Sequence, residues 1–311
     1  MIKNKNTNNN TDENMLKMNI NWYPGHMAKT RKQIESDIKL VDIVIEILDS
    51  RVPISSQNPD IKKIIQNKKR IIVLNKADLS EEIENSRWVN YFKNNGIPAI
   101  LCNSKSGQGI DKIEGIINSL MEEDKEKALQ KGRINKIIRV MIVGIPNVGK
   151  SSLINRMSKK SNAEVGNKPG ITKRKQWIRF SNIIELLVTP GVLWPKLDQE
   201  NTSLNLAYTG TIKSEILEET EVAYNMMKFL LNNYKNKVLE TYKIQEVAVE
   251  QILSNEILEE NEKVVEVMNL IGKARGAIIK GGNIDLDRVS KMILDDFKNG
   301  RLGRITLEKV K

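Results

Sequence analysis

Eight residues constrain this chain more than any others. Gly144-Ile145-Pro146-Asn147-Val148-Gly149-Lys150-Ser151 lies between an apolar run at 137–143 and an amphipathic stretch at 151–157. The pattern G-x-x-x-x-G-K-[ST] also arises by chance. A strand leading in and a helix leading out supply the context that a phosphate-cradling loop requires. Its glycines let backbone N–H groups close around phosphate oxygens at a helix N-terminus, where the helix dipole favours an anion. In such a loop Lys150 reaches the β- and γ-phosphates and the Ser151 hydroxyl ligates Mg²⁺, with Pro146, Val148 and Ser152 in the same cradle. The alternative is a Gly-rich structural turn, and the strand–loop–helix context speaks against it.

The rest of the first two-thirds alternates in the same way. The pattern predicts helices over 27–40, 59–66, 81–95 and 110–129, and strands over 41–48, 70–74, 98–102 and 137–143. Short runs at 176–180 and 183–188 are close enough to form a hairpin. Strands alternating with helices imply an α/β fold, a mostly parallel sheet covered on both faces. From about Leu204 the pattern is helical nearly to the end, interrupted at Gly281-Gly282. The expected organisation is an Asn-rich disordered tail at 1–20, an α/β domain at 21–196 and a helical domain at 204–311.

Composition narrows the function classes. A single cysteine, Cys102, and a single histidine, His26, argue against a disulfide framework and a zinc site. No apolar run approaches the roughly 18 residues of a membrane helix, and the N-terminus has no secretory h-region, so a cytoplasmic chain is expected. Fifty basic against 39 acidic residues, a formal +11, point to a polyanionic partner. The excess is local: 131–179 carries thirteen basic residues and one acid, and 271–311 carries ten and five.

Asn75-Lys76-Ala77-Asp78 directly follows the strand expected at 70–74. A carboxylate there accepts both hydrogen bonds from the N1–H and N2–H₂ edge of guanine, a donor pair that adenine lacks, so Asp78 would select the base. Asn103-Ser104-Lys105, after the strand at 98–102, resembles the Ser-Ala-Lys element whose backbone supports the guanine carbonyl. Each segment is weak alone. Together with the phosphate loop they indicate GTP or GDP rather than ATP, and a P-loop kinase or ATPase becomes the lesser alternative. In ordinary GTPases the phosphate loop comes first. Here Asn75–Asp78 precedes it, so the chain resembles a circularly permuted GTPase.

Five segments in order carry a more specific resemblance: Asn21-Trp22-Tyr23-Pro24-Gly25-His26-Met27-Ala28-Lys29, Asp49-Ser50-Arg51-Val52-Pro53, the phosphate loop, Pro169-Gly170-Ile171-Thr172 and Pro190-Gly191-Val192-Leu193-Trp194-Pro195-Lys196. With Gly272-Lys273-Ala274-Arg275-Gly276, Gly281-Gly282 and Gly303, the chain is similar to the bacterial ribosome biogenesis GTPase A family, also called YlqF. The resemblance covers nearly everything after the Asn-rich tail. It implies a GTPase that binds late large-ribosomal-subunit precursors and their rRNA and promotes their maturation, with no membrane association and a monomeric chain.

The resemblance also implies roles. Thr172 corresponds to the threonine that meets Mg²⁺ and the γ-phosphate, Gly191 to the glycine whose N–H contacts that phosphate, and Asn147 to an asparagine supporting K⁺ in related GTPases. His26 corresponds to a histidine acting on the hydrolytic water; a plain turn residue in Trp-Tyr-Pro-Gly-His is the other reading. Val192 stands where many GTPases carry the water-orienting Gln, and an apolar side chain cannot orient water.

One departure matters. The family pattern Asp-Thr-Pro-Gly reads Val188-Thr189-Pro190-Gly191 here, which removes an outer-shell Mg²⁺ partner unless Asp49 or another carboxylate compensates. GTP binding is therefore expected ahead of efficient hydrolysis, and with no Gln and no evident internal arginine finger turnover should be slow without a ribosomal partner; a hydrolysis-deficient GTP-binding scaffold is the alternative. Trp177 and Trp194 fit either RNA stacking or packing. Arg275, Lys280, Arg288, Arg301 and Arg304 fit either RNA contact or a solvated helix face. The Asp49–Pro53 segment is expected to shape a loop beside the nucleotide.

Overall fold

The computed structural model describes residues 25–132, 136–160, 177–194, 200–212 and 218–310. The Asn-rich tail, Thr172 and the boundary segment at 195–199 lie outside them, as does most of the Lys-rich run at 159–175. The α/β region opens with α1 (Gly25–Asp37), extended by a 3-10 turn at Ile38–Leu40, then β1 (Ile43–Asp49), α2 (Pro59–Ile64), β2 (Lys69–Asn75) and α3 (Glu82–Asn94). It continues through β3 (Ala99–Leu101), α4 (Asp111–Leu120), α5 (Glu122–Gln130), β4 (Ile138–Val143), α6 (Lys150–Lys160), β5 (Trp177–Arg179) and β6 (Ile184–Val188).

These strands form one six-stranded sheet in the order β3-β2-β1-β4-β6-β5. Every pairing is parallel except β5 with β6, the expected hairpin, at one edge. Apolar runs such as Ile43–Leu48 suit positions buried on both faces, and every residue of β1 is buried. The exception within it, Glu46, is ion-paired to Arg70. Burial pushes the Glu46 carboxyl up, and Arg70 opposes that shift.

Parallel strands put their C-terminal ends on one edge, where open α/β sheets bind ligands. β1 ends at Asp49, β2 at Asn75, β3 just before Asn103, β4 just before Gly144 and β6 at Val188. Segments far apart in sequence thus share one rim.

The helix expected over 110–129 is two helices. Met121 leaves helical geometry (φ −102°, ψ 6°), and Lys69, at the start of β2, donates to both the Leu120 carbonyl and the Asp124 carboxylate. A residue 51 positions away claims the carbonyl at the junction, which helical periodicity does not register.

Beyond the sheet come α7 (Glu200–Tyr208), α8 (Glu219–Tyr242), α9 (Glu246–Leu253), α10 (Glu260–Ala274) and α11 (Leu286–Lys298). The turn between α10 and α11 includes Gly281 and Gly282, both at positive φ. α8, α10 and α11 build a second apolar core around Met226, Leu230, Val267 and Ile293. Helix α7 contributes to both cores: Leu206 joins the sheet's, whereas Ala207 and Tyr208 join the helical one.

The last residues return to the α/β region. Ile305 N–H donates to Leu79 O at 2.9 Å, Leu307 N–H to Arg51 O at 3.0 Å, and the Trp88 indole to Glu308 O at 2.8 Å. Glu308 accepts from the N–H groups of Ile54 and Ser55 and from the Ser55 hydroxyl. Tyr234, at a kink in α8 (φ −142°), donates to Glu81 at 2.6 Å. The C-terminal tail is therefore stitched onto the two loops that follow β1 and β2.

Candidate nucleotide site

The loops that follow β2, β3 and β4 meet through Asn75. Its buried amide donates to Val148 O at 2.7 Å and to the Ser104 hydroxyl at 3.1 Å, and its carbonyl oxygen accepts from Ser104 N–H at 3.0 Å. One side chain thus ties together the three sequence segments read as guanine- and phosphate-binding. The contact leaves no room for a side chain at position 149. Gly149 has φ +98°, and a Cβ there would lie 2.2 Å from the Asn75 amide nitrogen.

The loop after β3 is built around Asn103, whose side-chain carbonyl accepts from the N–H groups of Lys105 and Ser106 at 2.9 and 3.1 Å. Arg156 of α6 caps the Lys105 carbonyl. Asp78 is exposed, beyond Ala77, whose N–H donates to Cys102 O at 3.1 Å. The carboxylate that would read guanine therefore stands at the solvent side of a loop anchored from beneath.

At the phosphate end, Gly144–Gly149 leads into α6, so N–H groups of the loop and the positive end of the helix converge. Lys150 is buried, and its ammonium donates to the carbonyls of Gly144 and Ile145 at 3.0 and 2.7 Å. Burial lowers its pKa to about 7. Gly191 lies against it: a Cβ there would come within 2.7 Å of Lys150 Nζ and 2.8 Å of Pro146 N. The Gly191 position thus has direct access to the lysine head. Ser151 and Ser152 are exposed at the helix start.

Asn147 sits at φ +63°, and its amide donates to Gly210 O in the turn after α7. The Thr211 hydroxyl reaches Pro146 O at 3.4 Å. The phosphate loop therefore touches the start of the helical region.

Val188 ends β6 paired with Ile142, and the apolar strand continues to that point. Thr189 follows, buried, with its hydroxyl on Ile142 O at 2.7 Å. Ser151 fits a Mg²⁺ ligand, but among the described residues no group of three His, Cys, Asp or Glu side chains is placed to hold a metal. Asp49 does not take the place of the missing aspartate. Its Oδ1 accepts from the N–H and Nε of Arg51 and its Oδ2 from Arg51 Nη2 and Lys76 Nζ. A carboxylate with both oxygens engaged by cations has none to spare for a metal-bound water.

Val192 is buried in the sheet's core, and Asn58 holds its carbonyl at 2.8 Å. Trp177 and Trp194 pack against the same core, with Arg139 over the Trp177 ring. Four of the five helical-region cations have intramolecular partners: Arg275 on Thr241 O, Arg288 on Gly276 O, Arg301 on Asp296 and Arg304 on Glu82. For His26 only the backbone, at the start of α1, is described.

Sequence reasoning placed Asp49–Pro53 in a loop beside the nucleotide but missed Asn58 and the individual bonds of Asp49, Ser50 and Arg51. The string Asp49-Ser50-Arg51 was visible; its partners, Asn75, Lys76 and Phe297, were not adjacent to it. Ser50 binds Asn75 O through both its N–H (2.9 Å) and its hydroxyl (2.7 Å).

Residues 139–270 match the family described as 50S ribosome-binding GTPase. The chain is 42% identical over 291 residues to ribosome biogenesis GTPase A of Bacillus cereus, covering 94% of each. It is 40% identical to ribosome biogenesis GTPase A of Bacillus licheniformis, covering 94% of this chain and 99% of that one. The fold is similar to that of GNP-bound YlqF from T. maritima, with a TM-score of 0.59 and 24% identity over 90% of this chain and 98% of the other.

Proposed function

The chain belongs to the ribosome biogenesis GTPase A family, a family of GTP-hydrolysing enzymes, and from that premise we propose how its own residues bind and use the nucleotide. Asp78 selects guanine, and Asn75, Lys76, Asn103, Ser104 and Lys105 build the loops that present it. Gly144–Gly149 and the start of α6 receive the phosphates. The observation that carries this assignment is Asn75, whose single amide group joins all three segments.

Catalysis in P-loop enzymes is mostly positioning and charge stabilisation at the γ-phosphate. Lys150 supplies the charge, Gly191 N–H a second donor, and Ser151 a Mg²⁺ ligand; Thr172 is its proposed companion. Bound Mg²⁺ would neutralise phosphate charge. Val188 offers no acceptor where the family pattern has Asp, and with no Gln in place of Val192 the free chain turns over slowly. His26 is proposed to act on the hydrolytic water in place of a Gln, and Asn147 to support K⁺.

The ribosome-related role is a family property; binding of late large-subunit precursors and their rRNA, and promotion of their maturation by a monomeric cytoplasmic chain, are this proposal's finer content. The charge pattern supports it, because the strongest basic excess surrounds the phosphate loop and the segment expected to respond to GTP. The helical-region arginines with intramolecular partners contribute less, which leaves Lys280 as the member of that set with no such partner described.

The deciding experiment is GTP turnover of the full chain with and without purified large-subunit precursor particles, beside Asp78→Asn. Stimulation by the particles and a raised KM for GTP in the variant are expected. Absence of stimulation overturns the ribosomal part, and an unchanged KM overturns the base assignment.

A further inference from the structure

The motif Asp49-Ser50-Arg51 does more than shape a loop. Asp49 and Arg51 are each 1% exposed, and their side chains form a two-pronged pair, Nε to Oδ1 at 3.0 Å and Nη2 to Oδ2 at 2.9 Å. Two features show that this pair faces in two directions at once.

On one side, Asp49 Oδ2 also accepts from Lys76 Nζ at 2.8 Å. Lys76 belongs to the base-recognition segment and has φ +60°, a left-handed conformation that a long side chain adopts only when its surroundings impose it. Ser50 adds two hydrogen bonds to the carbonyl of the preceding Asn75. The backbone on which Asp78 stands is therefore held in an unfavourable shape from below.

On the other side, Arg51 Nη1 donates to Phe297 O at 3.1 Å, and its guanidinium lies 4.8 Å from the centre of the Phe297 ring. Phe297 is in the last turn of α11, 246 residues away in sequence. The guanidinium bridges two regions, with Nε and Nη2 on Asp49, which in turn holds Lys76, and Nη1 on the helical region.

We propose that Asp49 is a positioning residue for guanine-nucleotide binding. Locked by Arg51, it holds Lys76 and the base loop in their binding shape, and the seating of α11 on Arg51 sets how firmly that shape is kept. This relay rests on the reading that Asp78 recognises the base. Burial alone would raise the Asp49 carboxyl, but the adjoining charges of Arg51 and Lys76 outweigh it and hold the group below the usual carboxylate range, so the relay stays ionised at neutral pH.

The test is steady-state GTP turnover of the full chain, with KM, kcat and the melting temperature measured together. When chemistry is slow KM reports nucleotide binding, and the relay acts at the base, far from the bond that breaks. Asp49→Asn keeps the shape and removes the charge. Its KM should rise about tenfold, with a much smaller change in kcat, the pattern of lost ground-state binding. Arg51→Lys, which cannot grip Asp49 and Phe297 at once, should raise KM by about threefold. A lowered melting temperature and lowered kcat with unchanged KM in Asp49→Asn would mean a purely architectural role and overturn the proposal. A shift in Asp49→Asn with none in Arg51→Lys removes the helical region from it. If Asp49→Asn does not fold, Lys76→Met takes its place, with the same rise expected and an unchanged KM equally fatal. Asp78→Asn, run alongside, separates the two failures. If it raises KM while Asp49→Asn does not, the relay alone is wrong; if neither does, the base assignment falls with it.

Discussion

The two ends of the proposed nucleotide site are built on opposite principles. The base end is a closed set of partners: Asp49 with Arg51 and Lys76, Ser50 with Asn75, Asn75 with Ser104 and Val148. Its Asp49–Arg51 pair is buried and matched, with Lys76 part-buried beside it, while Asp78 stands at the solvent side. At the phosphate end the partners of buried Lys150 among the described residues are carbonyls, its pKa is pulled down to about 7, and Val188 offers no acceptor. The first end is complete by itself, and the second holds a cation best neutralised by an anion from outside. The contrast separates what keeps the site in shape from what draws in a triphosphate. Buried matched charges resist change because removing one strands the other, whereas a desolvated ammonium stores affinity for phosphate.

Substitutions can break this comparison. Arg51→Ala should have the largest effect on the fold, about 3–5 kcal/mol lost in urea unfolding, because Asp49 is left buried with one partner instead of two. Lys150→Ala should lower kcat/KM for GTP by roughly 10²–10³-fold while unfolding at the wild-type denaturant concentration or above it. Equal stability losses in the two variants would erase the distinction. Val188→Asp restores an outer-shell acceptor at the end of β6 and should tighten the Mg²⁺ dependence of turnover by roughly 10–100-fold, read from Mg²⁺ titrations.

The smallest effect is a proton. Because burial lowers the Lys150 pKa, the folded chain releases its proton from about pH 7, whereas the unfolded chain keeps it up to about 10.5. Stability of the free chain should therefore rise with pH across that window. Triphosphate binding restores the charge, so calorimetry at pH 8.5 in buffers of different ionisation enthalpy should find uptake of about one proton. No uptake would mean that Lys150 is charged before the nucleotide arrives.

Much of the fold was legible because its signals are local. The apolar runs of β1, β2 and β4, the hairpin of β5 and β6, and the Gly281-Gly282 break all show in the chain as short patterns. Asn75–Asp78 and Gly144–Ser151 were legible as loops at strand ends because each follows an apolar run; a base edge and a phosphate are their proposed ligands. Met121 was not, since the break there answers to Lys69 in a neighbouring layer. Nor was the tail, whose Glu308 caps N–H groups more than 250 residues back.

Asp49 shows the division most clearly. The sequence by itself determined the layout, an α/β sheet with Asn75–Asp78 at the end of β2 ahead of Gly144–Ser151 after β4, because periodicity and short motifs depend on neighbouring residues. It left Asp49 free to serve as a metal partner. Only the tertiary structure decided otherwise, by bringing Lys76 and the Phe297-anchored Arg51 onto both of its oxygens. A buried charge takes its role from whatever surrounds it in space: Arg51 is two residues away, but Lys76 and the Phe297 that anchors Arg51 come from segments that no local pattern joins.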